Sequence, residues 1–413
     1  MREGKTEVKK AGRAEKAARR KAIKSRRRAK KAPSGEQLVF RSRLDMLFGG
    51  YDFTLALLVV LLSSFGVAMV FSAGYYQTIN SAVPDPTYYL FRQLFFVVTG
   101  LLIMLWVAHF DYHHYMKLDV VIIMISLALL VLVMLIGTSV NESQRWIDLG
   151  FVRITPSEIS KVAVIIFTAS YLAKNPDAVR SFKGLLILAG VMAAHFILII
   201  RQPNLSTAIV IVAIMGAIML VAGLHMVFLI LPALAGLAGY FYIITAKTPM
   251  HWYRRITSFM DPFADRQGDG YQVTQGLIAL GNGGLRGLGF GRSVAKNLYL
   301  PEPQNDFILA VIGEELGYIG FVVLMAVYIV LLFVLIMSAL RAKDRLGFFL
   351  ATGVAVMLGL QVIINVAVVT SSMPATGITL PFISYGGTSV WAFMAAMGIV
   401  LNVSRKRRVV EPE

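Results

Sequence analysis

Long apolar stretches separated by short polar breaks dominate the pattern of this chain. The first, Phe53 to Ala73, is followed by runs at about 90–109, 119–137, 158–173, 184–200, 205–223, 226–246, 307–337, 347–369 and 382–403. Most approach the roughly 20 residues that a helix needs to cross a hydrocarbon core of about 30 Å. The pattern predicts an all-α, polytopic integral membrane protein of about ten transmembrane helices. The weakest division is the very tight turn from Ala222 to Met226, between the sixth and seventh.

Charge sets the orientation. If Met1 is inside, so are the loops 110–118, 174–183 and 338–346 and the tail from Ser404. These hold Lys117; Lys174, Arg180 and Lys183; Arg341, Lys343 and Arg345; and Arg405-Lys406-Arg407-Arg408. Positive charge gathers on the cytoplasmic side of short loops, so both ends are predicted inside. The outer side then carries loops at 74–88, 138–157 and 201–204, and one long segment, 247–303, between the seventh and eighth helices. No internal repeat of the kind that marks transporter halves is visible.

Composition agrees: of 413 residues, 57% are hydrophobic and 15% charged, against roughly 25% charged in a soluble domain. The first 43 residues hold 17 Lys or Arg and four Glu, a net of +13 within the chain's +17. Three parts follow: a basic, disordered cytoplasmic tail at 1–48, a transmembrane domain at 49–404 and a short cytoplasmic tail at 405–413. The basic stretch Lys9 to Lys31 has no aromatic residue for base stacking, so it reads as a topogenic anchor near anionic headgroups and not as a nucleic-acid binder. With no cysteine, disulfide and thiolate chemistry are excluded.

The candidate chemistry lies on the outer side. Asp306 stands just before the apolar run that begins at Phe307, where a helix enters the membrane. It is equally suited to capping that helix and to serving as a general base whose pKa is raised by desolvation. Glu314 and Glu315 lie deeper in the same helix, about 12–14 Å along its axis. Ionisable groups at that depth are either functional or buried in interhelical bonds. Glu158 is placed to meet a helix dipole. Lys161, one turn further in, is either a snorkelling charge at a helix entrance or, with Arg92 and Arg145, one of several cations whose convergence on one outward mouth would suit an anionic headgroup such as a phosphate. The glycines from Gly281 to Gly291, around Arg286, lack the strand and the Gly-Lys-Ser/Thr of a nucleotide loop, and read as tight turns against helix mouths. His109 and His113 stand four apart but lack a third ligand in register, so an interfacial cluster is expected and no metal site. From Pro374 to Ser389, two prolines and three glycines break the helix at membrane depth, where such backbone must be buried in protein or line a wet cavity.

These segments together resemble the SEDS family (shape, elongation, division and sporulation). The matching stretches are Arg145-Trp146-Ile147, Pro156-Ser157-Glu158 with Lys161, Arg254-Arg255-Ile256, Gly270-Tyr271-Gln272, Leu300 to Phe307 with Glu314-Glu315-Leu316-Gly317, and Pro374 to Ser389. Leu300-Pro301-Glu302-Pro303-Gln304 and the basic tail look closest to the division and sporulation type, and Asn305 departs from the threonine usual there.

The resemblance implies a peptidoglycan glycosyltransferase at the outer face of the bacterial cytoplasmic (inner) membrane, at the division septum. It would polymerise lipid II into β-1,4 glycan strands and release undecaprenyl diphosphate. Asp306 would be the catalytic base, with Arg92, Arg145, Glu158, Lys161, Gln272, Arg286, Ser384 and Tyr385 at the substrate. The resemblance implies no definite cofactor; Mg²⁺ or Mn²⁺ would be able to assist the diphosphate. The implied partners are the nascent glycan strand, a class B penicillin-binding protein as transpeptidase and other divisome proteins. A lipid II flippase using Glu314 and Glu315 as a polar path, or a non-catalytic scaffold for the transpeptidase, are the alternatives.

Overall fold

The computed structural model describes residues 52–79, 84–140, 143–247, 250–264, 268 and 270–405. The expected tails, 1–48 and all of 405–413 but Arg405, lie outside the described residues. Twelve helices fall within them: α1 (Phe53–Ile79), α2 (Tyr88–His109), α3 (Tyr115–Ile136), α4 (Pro156–Lys174), α5 (Phe182–Ile200), α6 (Leu205–Val221), α7 (Val227–Ala246), α8 (Met250–Met260), α9 (Tyr271–Gly283), α10 (Ile308–Leu340), α11 (Arg345–Val369) and α12 (Gly387–Arg405).

Among the described residues seven helices are long and apolar enough to cross a membrane: α1, α2, α3 with its leading turn, α5, α10, α11 and α12. The other expected spans coincide with α4, which carries Glu158, Lys161 and Lys174, with the 17-residue α6, and with α7. The long outer segment 247–303 is partly helical, since it contains α8 and α9. The all-α expectation also needs amending in the outer loop 138–157, where a small antiparallel sheet forms in the order β1 (Thr138–Val140), β2 (Ser143–Asp148), β3 (Arg153–Ile154). Its hairpin pairs Asp148 with Arg153 and closes on an ion pair between them at 3.1 Å.

The molecule is apolar inside and out. α12 and α4 are buried along most of their length, whereas Leu61, Trp106, Leu135 and Phe333 are 53%, 70%, 74% and 62% exposed on surrounding helices. Water does not tolerate so extensive an apolar exterior on a monomer; lipid does. Helix contacts are close. A Cβ on Gly66 of α1 would stand 2.4 Å from the carbonyl oxygen of Phe382, so α1 packs directly on the irregular backbone before α12. At the other end, Asp344 caps α11 by accepting from Gly347 N–H at 2.8 Å, and also accepts from Tyr112 Oη at 2.8 Å. His113 bridges Asp344 and Asp111 at 2.7 Å each, while His109 bonds the Leu105 carbonyl instead.

Candidate active site

Asp306 sits in the loop that leads into α10, and this loop is held from four sides. Gln272 of α9 donates to the Pro301 carbonyl at 3.3 Å. Gln304 donates to the Tyr89 hydroxyl of α2 at 3.1 Å, and its carbonyl accepts from Tyr385 N–H at 2.9 Å. Asn365 of α11 donates to the Asp306 carbonyl at 2.8 Å and to the Ile378 carbonyl at 2.9 Å. Phe307 follows, fully buried, with its ring against Gly276 of α9.

The Asp306 carboxyl is half-buried, and burial pushes its pKa up to about 6. Backbone N–H groups of Asp306 itself and of Phe307 hold it down, the nearby Glu302 carboxylate raises it, and Arg255 of α8 lowers it. Phe307, not Asp306, occupies the cap position of α10. A fixed carboxyl that titrates near neutrality has the properties of a general base.

The cations divide into two kinds. Arg255 acts electrostatically on both Asp306 and Arg145, lowering the pKa of each. Arg145 donates from Nε to the Gln202 carbonyl at 3.0 Å and from Nη2 to the Pro203 carbonyl, and its Nη1 lies 3.6 Å from where a Cβ on Gly377 would stand. It thus bonds two carbonyls of the α5–α6 turn and lies against Gly377 of the segment before α12. Burial and then repulsion by Arg255 lower its pKa. Arg92 lies between the rings of Tyr88 and Phe151, 4.5 and 4.8 Å from their centroids, and its charge acts on the Tyr385 hydroxyl. The Tyr385 ring packs edge-on against Tyr89 at 4.9 Å. The Ser384 hydroxyl turns inward and accepts from Leu380 N–H at 2.8 Å.

Lys161 is buried. It is 2% exposed, pairs with Glu158 at 2.8 Å and lies 5.8 Å from the Phe393 ring of α12. Arg286 is exposed on the glycine-rich loop, away from Asp306 in the chain. Among the described residues no three His, Asp or Glu side chains gather as a metal site.

The glycine-rich loop completes a broken helix. α10 is interrupted at Gly317, whose φ of 69° frees backbone groups on either side. The loop supplies their partners. Leu288 N–H and Gly289 N–H donate to the carbonyls of Glu314 and Glu315 at 3.0 and 2.9 Å. In return, Tyr318 N–H and Ile319 N–H donate to the carbonyls of Gly284 and Leu285 at 2.9 and 3.1 Å. The approach is so close that a Cβ on Gly287 would stand 2.2 Å from the Glu315 carbonyl oxygen. Both buried glutamates reinforce it. Glu314 accepts from Ser293 Oγ, from Ala295 N–H at 3.1 Å and from Asn282 at 3.3 Å. Glu315 accepts from Lys296 at 2.8 Å and from Ser72 of α1 at 2.7 Å.

The structure therefore brings Asp306, Gln272, Ser384, Tyr385, Arg92 and Arg145 to one region and leaves Glu158, Lys161, Glu314 and Glu315 in buried bonds. It adds Arg255, Glu302, Asn365 and Lys296. Asn365 had a signal, one of two amides (with Gln361) in a largely apolar helix, whereas Lys296 looked like any loop lysine.

A family model described as "Cell cycle protein", for FtsW, RodA and SpoVE, matches residues 53–409. "Stage V sporulation protein E" of Bacillus subtilis (strain 168) is 38% identical over 360 residues, 86% of this chain and 98% of that protein. "Probable peptidoglycan glycosyltransferase FtsW" of Geobacter sp. (strain M18) is 36% identical over 362 residues, 87% of this chain and 98% of that protein. A solved structure concerning structural coordination of polymerization and crosslinking by a peptidoglycan synthase complex matches with a TM-score of 0.71 at 28% identity, over 86% of this chain and 98% of that one. The Thermus thermophilus rod shape determining protein RodA matches with a TM-score of 0.64 at 28% identity, over 86% and 97% of the two chains. The match spans every helix from α1 to α12, and the chain belongs to the FtsW/RodA/SpoVE, or SEDS, family.

Proposed function

We propose that this chain is a peptidoglycan glycosyltransferase that polymerises lipid II on the outer face of the cytoplasmic membrane. The observation that carries the reading is the Asp306 carboxyl, clamped at the membrane mouth, raised to about 6 and facing the charge of Arg255. Asp306 accepts the proton of the acceptor 4-hydroxyl. That oxygen attacks the anomeric carbon of the donor sugar as the bond to the diphosphate breaks, inverting α to β and releasing undecaprenyl diphosphate. Arg255, Arg145 and Arg92 neutralise the charge that develops on the leaving group. Ten spans with both ends inside, the lipid tails between helices, and Mg²⁺ or Mn²⁺ arriving on the diphosphate complete the proposal.

The relatives named glycosyltransferase support the activity, and the similar structure of a complex that coordinates polymerization and crosslinking supports a transpeptidase partner; that this partner is of class B and acts at the septum is part of the proposal. A flippase that used Glu314 and Glu315 as a polar path would have to break the bonds these carboxylates make to Ser293, Lys296 and Ser72. Polymerisation needs no such disruption. Purified full-length protein given labelled lipid II, with no second polymerase present, should yield glycan strands. Transport of lipid II without strand formation would overturn the reading.

A further inference from the structure

We propose that Asn365 is a positioning residue for the reaction: through the Asp306 carbonyl it fixes the peptide plane that orients the Asp306 carboxylate. The inference rests on the reading of Asp306 as the base and deepens it.

Asn365 lies in α11 and is 1% exposed. Its side-chain nitrogen donates to two carbonyls from distant parts of the chain, Asp306 at 2.8 Å and Ile378 at 2.9 Å. Its Oδ1 is buried without a hydrogen-bond partner. The orientation of the amide is forced, because a flipped amide would set Oδ1 against two carbonyl oxygens. An apolar helix position occupied by an amide that leaves its own acceptor unbonded is costly for packing alone. What it secures is the junction of the Asp306 loop with the irregular segment before α12.

The link to the carboxylate is one peptide long. The Asp306 carbonyl and the Phe307 N–H belong to the same rigid peptide plane. The carbonyl end of that plane is held by Asn365, and the N–H dipole at its other end lowers the pKa of the Asp306 carboxyl. Releasing the carbonyl lets the plane rotate, which misplaces the carboxylate and weakens an influence that favours its charged form. The other charged groups facing Asp306 are Glu302 from its own loop and Arg255 from α8; α9 contributes the neutral Gln272, and the last segment brings Tyr385 to the same loop.

The test uses full-length protein, labelled lipid II and three variants, with folded fraction and melting temperature measured on every sample. Asn365→Leu keeps the size and removes both donors; it should lower kcat by about 100-fold, with KM changed about twofold at most. The acidic limb of its rate profile should move to higher pH. Asn365→Thr, which restores one hydroxyl donor, should recover part of both effects. If Asn365→Leu fails to fold, Asn365→Thr carries the test through the same limb and the same ratio of kcat to KM. A wild-type limb with wild-type kcat per folded molecule in the folded variants would overturn the positioning role while Asp306→Asn remained inactive. An active Asp306→Asn would overturn the base reading itself, and this inference with it.

Discussion

Tyr385 donates its backbone N–H to the carbonyl of Gln304 at 2.9 Å, so the loop that carries Asp306 and the broken segment before α12 form one edge. The Tyr89 ring packs on Tyr385 and its hydroxyl accepts from Gln304, so α2 seals the same junction. Residues separated widely in the chain thus behave as one element, and the consequences can be measured.

Asp306→Asn should lower polymerisation by about 10²–10⁴-fold, the range of a general base, because the amide keeps the shape and loses the basicity. Binding of the transpeptidase should be unchanged. Rates near wild type in a purified assay would return Asp306 to a purely structural role.

The same residue makes a prediction in pH. With a folded pKa of about 6 and an unfolded value of about 3.9, the polymerisation rate should fall below about pH 6 as the carboxyl gains its proton. Stability runs in the opposite sense. A raised carboxyl contributes stability that is complete below the unfolded pKa and is lost as pH rises through the folded one. Asp306→Asn should therefore gain on wild type in melting temperature between pH 4 and pH 7. A constant difference across that window contradicts the assignment.

Arg145 should prove both structural and electrostatic. Arg145→Ala leaves the carbonyls of Gln202 and Pro203 without a donor, which costs about 1–3 kcal/mol if they stay buried. Its melting temperature should fall, and the rate per folded molecule should fall further. Arg145→Lys keeps the charge but not the fork of donors, and should lie between. A rate loss wholly explained by unfolding removes Arg145 from the diphosphate.

Lys296 and Glu315 form a buried pair, 3% and 0% exposed, at 2.8 Å. Removing one partner strands a charge and should cost about 3–5 kcal/mol. Lys296→Met should be severely destabilised, and Lys296→Met with Glu315→Leu should recover a large part of the loss. Strict additivity in that double-mutant cycle would show that the two do not interact.

Much of this molecule was legible in the chain because a bilayer constrains it so strongly. The apolar runs matched α1 to α7 and α10 to α12 within a few residues, since apolar length and helix are nearly the same statement in lipid. The loop 247–303 was legible only as an interruption. α8 and α9 are short helices of mixed composition, and the pairing of residues 284–289 with the break at Gly317 has no local periodicity to betray it. Asp306 could be singled out by its place beside an apolar run. Its clamp could not, because Asn365 and Tyr385 meet it only in three dimensions. The sheet at 138–154 was hidden in a loop whose strands are too short to register.

The return of the glycine-rich loop to Gly317 bears on how the protein is made. Residues 284–291 leave the ribosome before α10, so in the proposed topology they are already across the membrane when the first half of that helix arrives. α10 cannot satisfy its own backbone at the break, and the partners it needs are waiting on the far side. Its outer half is therefore expected to settle last, docking onto a preassembled loop and not inserting as an independent span.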